Sequence, residues 1–83
     1  MHELSIALEI CRVVEERIPA AQLHQLAEVG LDIGERATME VANLQFCLDT
    51  LLAHSPFAGA DVVIARTGGE DTRVSYLEID DER

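Results

Sequence analysis

Met1, His2 and Glu3 bring a primary amine, an imidazole, a carboxylate and the peptide nitrogens between them into one short stretch of chain. Nitrogen donors that can lie in one plane suit Ni(II) or Cu(II), whereas a closed tetrahedral sulfur site suits zinc. The bulk of His2 disfavours removal of the initiator methionine, so the free amine belongs to Met1. The amine, the intervening amide and the ring can then close adjacent chelate rings on a divalent metal. A structural reading competes with this one. His2 and Glu3 also make a polar start to a helix, and an isolated terminal histidine is more often that than a ligand.

The elements that must position these residues can be read from periodicity. Leu4, Ala7, Leu8, Cys11, Val14 and Ile18 recur at helical spacing, widened by Ile6, Ile10 and Val13, with Glu9, Arg12 and Glu16 opposite. A first helix is expected over residues 3–17. Pro19 ends it, because the residue before a proline is pushed out of the helical region. Ala27, Val29, Leu31 and Ile33 then alternate with Glu28, Gly30 and Asp32, the period of a strand with one buried face, which should lie under the first helix. Gly34 marks its exit, and Thr38 is the expected N-cap of a second helix lined by Val41, Leu44, Leu48, Leu51 and Leu52, closed from beyond by Pro56. Glu40 falls in its first turn. Two further strands, 61–66 and 73–80, flank Gly68-Gly69, a hairpin signal. The expected fold is α/β, two helices packed on one face of a three-stranded mixed sheet, with the last two strands forming a hairpin and residues 1–83 making one domain.

Composition narrows the function classes. Sixteen acidic against six basic residues give a formal charge of −10, and no basic stripe interrupts it, which argues against nucleic acid as a partner. The same field weakly concentrates cations and favours a partner with a basic face. No apolar run approaches the roughly 20 residues needed to span a bilayer, so no membrane association is expected. The absence of a leader segment and the two unpaired-looking cysteines predict a cytoplasmic protein. Cys11 and Cys47 sit on different expected helices without the CxxC spacing of structural zinc, and each reads as a small core residue. A chain of 83 residues buries a modest fraction of its surface, so a homodimer would add stability. Gly68-Gly69 is followed by no lysine and no helix start, which excludes a phosphate loop. No nucleophile–base pair emerges, and an enzyme is not expected. The acidic end, Asp80 to Arg83, reads as a solvated, disorder-prone tail.

Three segments, Met1-His2-Glu3-Leu4-Ser5-Ile6-Ala7, Leu31-Asp32-Ile33-Gly34-Glu35 and Arg73-Val74-Ser75-Tyr76-Leu77-Glu78-Ile79, resemble in content and order the HypA/HybF family of hydrogenase nickel-incorporation proteins. The resemblance implies a nickel-binding accessory protein that hands Ni(2+) to the large subunit of a [NiFe] hydrogenase together with a maturation GTPase, some relatives also serving urease. It implies a metal set of Met1, His2 and Glu3, with Glu40 in the segment where relatives can place a further acidic residue. A carboxylate there is equally explained by the helix dipole. His24 and His54 read as surface histidines. One departure is large: relatives insert a zinc module with paired CxxC motifs where this chain has only residues 67–72, so no structural zinc is expected. The alternative reading is a metal-free adaptor or regulatory module of a maturation complex.

Overall fold

The computed structural model describes residues 2–83. Helix α1 spans His2–Arg17, a short 3-10 turn follows at Ala20–Gln25, and then come β1 (Leu26–Gly34), α2 (Val41–Leu52), β2 (Asp61–Thr67) and β3 (Thr72–Ile79). The two helices and the three-stranded mixed sheet are those expected. The 3-10 turn was not foreshadowed by any period in the sequence.

Buried faces explain the packing. Ala7, Ile10, Cys11 and Val14 of α1, Leu44, Leu48 and Leu52 of α2, and Leu26, Val29, Leu31 and Ile33 of β1 form one core. The α1 stripe is rotated from the expected one: Ile10 is buried while Leu4 and Leu8 stand on the rim, Leu8 being 52% exposed. Opposite, Arg12 is salt-bridged to Glu9 and to Glu16, the latter at 2.6 Å, as a solvated helix face should be. In β1 the pairing register slips between Leu26 and Glu28, so the inward position falls to Leu26 and Ala27 is only half-buried. The bulge places the larger apolar side chain in the core, where burial stabilises by about 1.5–3 kcal/mol.

The sheet order is β2-β1-β3, with β1 parallel to β2 and antiparallel to β3. A parallel pair requires a crossover, and α2 supplies it. The last two strands do run in opposite directions, but they flank β1 instead of pairing, so the hairpin ladder expected around Gly68-Gly69 does not form. The physical reason is reach and competition. Two strand spacings amount to about 9.5 Å, well within what the loop Gly68–Asp71 can extend. The end of β1 then provides the donors: Gly34 N–H donates to Asp71 O at 2.8 Å, Glu35 N–H to Thr67 O at 2.7 Å, and Arg36 N–H to Gly69 O at 2.8 Å. The glycine pair serves a close crossing over β1, with Gly69 at φ +96°.

The acidic end is also better fixed than its composition suggests. Asp80 N–H donates to Gln25 O at 2.9 Å and the Arg83 guanidinium to Ala58 O at 2.9 Å. No helix among the described residues is long and apolar enough to cross a membrane.

Candidate metal centre at the joined helix starts

α1 begins at His2, one residue earlier than the periodicity placed it, and α2 begins beside it. The joint is made by Glu3. One oxygen of its carboxylate accepts from the Glu40 backbone N–H at 3.2 Å and the other from Asn43 Nδ2 at 2.9 Å. These bonds to the ionised form hold the Glu3 carboxyl below its ordinary range, the Glu40 amide contributing most, then Asn43, partly offset by desolvation and slightly aided by nearby His2.

The cap of α2 is Glu40, not Thr38. The Glu40 carboxylate accepts from the Ala42 N–H at 3.4 Å while its own amide is taken by Glu3. Thr38 is locally the better N-cap, but the tertiary bond from Glu3 fixes where the backbone turns into the helix. Glu40 is therefore at the cap and not inside the first turn. Each helix start carries roughly half a positive charge, and the two carboxylates offset it.

His2 is exposed at the start of α1. The first four N–H groups of a helix have no intrahelical acceptor, so the His2 amide can lose its proton to a metal without breaking a helix hydrogen bond. Glu3 uses two of about four lone-pair positions on its carboxylate, leaving others to face a cation. Met1 lies outside the described residues. Among the described residues no group of three or more His, Cys, Asp or Glu is arranged to hold a metal.

The structure sets the other candidates apart. His24 lies on the 3-10 turn after α1, and His54 follows α2 with its Nδ1 2.8 Å from Thr50 O. At about 1.5 Å of rise per residue, each is a helix length away from the joined starts. Cys11 is buried in the core and Cys47 is half-buried against it, both as free thiols. Burial, reinforced by Glu15, raises the Cys11 thiol pKa. Asn43 was missed by the sequence reading. Its one signal was a polar amide in the first turn of the second helix.

Comparison with known proteins agrees with this fold. The family described as hydrogenase/urease nickel incorporation, metallochaperone, HypA matches residues 1–73. A hydrogenase maturation factor HypA from Azoarcus sp. (strain BH72) is 42% identical over 69 residues, covering 83% of this chain and 60% of the relative. Its counterpart from Azotobacter chroococcum is 36% identical over 69 residues, covering 83% and 61%. The chain thus spans about three fifths of the length of these curated relatives. The solution structure of the Ni metallochaperone HypA from Helicobacter pylori superposes with a TM-score of 0.77 at 18% identity, over 93% of this chain and 96% of that one, a likeness of fold. With a family match over residues 1–73 and relatives above 30% identity across most of its length, the chain belongs to the HypA family of hydrogenase and urease nickel-incorporation metallochaperones.

Proposed function

We propose that this chain is a nickel-binding accessory protein that delivers Ni(2+) as cargo to a [NiFe] hydrogenase during its maturation, and that it is not itself an enzyme. The observation that carries the reading is the family match beginning at residue 1, joined to a helix start at which His2 is exposed and its amide needs no intrahelical acceptor. In this reading the Met1 amine, the intervening amide and the His2 imidazole form the primary donor set. Glu3, held in place by Glu40 and Asn43, supplies a nearby carboxylate, and Glu40 is optional. Short chain separation makes this set inexpensive to organise, whereas Glu40 must be brought in by the fold.

The four-residue link Gly68–Asp71 between β2 and β3 is proposed to stand where relatives carry a zinc module, so the domain folds without structural zinc. A maturation GTPase and a hydrogenase large subunit are the proposed partners, in the cytoplasm. The strongly acidic surface supports a partner with a basic face.

Calorimetric titration of nickel into untagged protein with its native terminus tests the reading. Stoichiometric tight binding is expected, with loss on His2→Ala or when an N-terminal tag is left uncleaved. Equal binding by all three proteins would exclude the terminal site. Acidification should release the metal, because imidazole, amine and amide must all be deprotonated to coordinate.

A further inference from the structure

β3 is an edge strand: β1 pairs with one side of it, and the other side of its eight residues is unpaired. Exposed edges are blunted with proline, charged side chains, above all lysine, or bulges; β3 contains no proline or lysine, and carries charges and a bulge instead. Beside it, between α1 and β3, an open groove of about 670 Å³ is lined by Ile6, Ile10, Val13, Met39 and Val74 among others. Val74, on its wall, and Leu77 farther along the strand are half-buried.

The β3 ladder skips one residue, because Gly30 pairs with Tyr76 and Leu31 with Val74, leaving Ser75 as a bulge. The bulge shifts the phase of the strand. Thr72, Val74, Leu77 and Ile79 are half-buried, whereas Arg73, Tyr76 and Glu78 are exposed. In a regular strand, residues separated by an odd number face opposite sides and cannot meet across a two-fold axis. Here the bulge puts Arg73 and Glu78 on the same side.

We propose that β3 is a self-docking edge, on which a second copy of this chain adds its own β3 antiparallel to form a continuous six-stranded sheet. With Ser75 opposite the second copy's Tyr76, the two-fold axis sets Val74 opposite Leu77, Thr72 opposite Ile79, and Arg73 opposite Glu78. Both apolar pairs fall on the helix side, next to the groove. Both charge pairs fall on the open side, where opposite charges facing across strands are favourable. The Arg73 side chain is 74% exposed and touches Asp32 through Nε at 3.2 Å, leaving its terminal nitrogens for a second carboxylate.

The other edge lacks this symmetry. On β2 the acid and base are Asp61 and Arg66, five positions apart without a bulge and therefore on opposite faces. Arg66 is moreover engaged with the Ile33 and Gly34 carbonyls at 3.2 and 3.0 Å. The net charge of −10 opposes self-association, but charges farther apart than about 8 Å are largely screened at physiological ionic strength. The contact pairs then decide.

Sedimentation velocity on the untagged chain, from micromolar to millimolar, tests the edge. Wild type should dimerise with concentration. Glu78→Arg and Arg73→Glu should each weaken association about tenfold, since each sets like charges opposite one another twice per dimer. An equimolar mixture of the two variants should recover wild-type association, because every facing pair is again of opposite sign. Far-UV circular dichroism should be unchanged throughout. A monomer at all concentrations would overturn the proposal, as would a mixture no tighter than the single variants. Nickel stoichiometry should remain that of wild type in each variant, which separates this surface from the helix starts.

Discussion

The joined helix starts and the loop crossing at Gly34 are built from different material. At the helix starts, side chains make the structure: Glu3, Glu40 and Asn43 are exposed or half-exposed, and their hydrogen bonds are exposed at Glu40 and part-buried at Asn43. At the crossing, backbone makes it: a Cβ on Gly34 would lie 2.3 Å from Gly69 O and 2.8 Å from Glu70 N. Side-chain joints of this kind can change binding while leaving the fold intact. Backbone joints can change only the fold.

The largest effect is therefore expected from Gly34→Ala. No flexible side chain can give way there, so the loop must lift from β1 and lose hydrogen bonds, costing about 2–4 kcal/mol. For a domain of this size, thermal unfolding should fall by roughly 10 °C or more. A variant that melts with wild type would break the contrast. His2→Ala should do the reverse, removing tight nickel binding with no change in melting temperature, because His2 is exposed ahead of the core.

A smaller effect sharpens the comparison within β1 itself. Gly30→Ala would place its Cβ 2.0 Å from the Tyr76 ring, but that ring is 42% exposed and can swing outward, giving up its hydrogen bond to Glu28. A loss of about 1 kcal/mol or less is expected by urea unfolding. If Gly30→Ala cost as much as Gly34→Ala, the distinction between flexible and backbone obstruction would fail.

At the helix starts, Asn43→Ala should lower the melting temperature slightly at neutral pH. Because the Glu3 carboxyl is held below its ordinary value, its contribution is present above the unfolded-state pKa and is lost as pH falls through the folded one. The difference between Asn43→Ala and wild type should thus shrink below about pH 4. A difference that grows in acid would show that Asn43 acts through something other than the charged carboxylate. Smallest of all, thiol-reagent labelling should reach half-buried Cys47 before buried Cys11, whose raised pKa also keeps it protonated.

Much of the fold was legible because it follows from local period. The apolar spacing of Leu44, Leu48 and Leu52 and the alternation of Val29, Leu31 and Ile33 gave two elements whose buried faces match the structure. His2 and Glu3 stood out as candidates from residue type and position, and the family resemblance rested on contiguous segments. Asn43 was illegible because its role depends on Glu3, forty residues away. The cap at Glu40 was illegible for the same reason.

What the sequence by itself determined was the two helices and three strands, the buried faces of α2 and most of β1, and the chemical character of the terminus, since each depends on residues within a turn or two of one another. Only the tertiary structure decided that β1 lies between β2 and β3, that Gly68-Gly69 crosses a strand end instead of closing a hairpin, and that Ser75 shifts the phase of β3. Those outcomes are competitions for backbone donors and acceptors between segments far apart in the chain. Local patterns are silent on them, because a Gly-Gly turn and two apolar runs fit a hairpin as well as a crossing until β1 offers its own end to the loop.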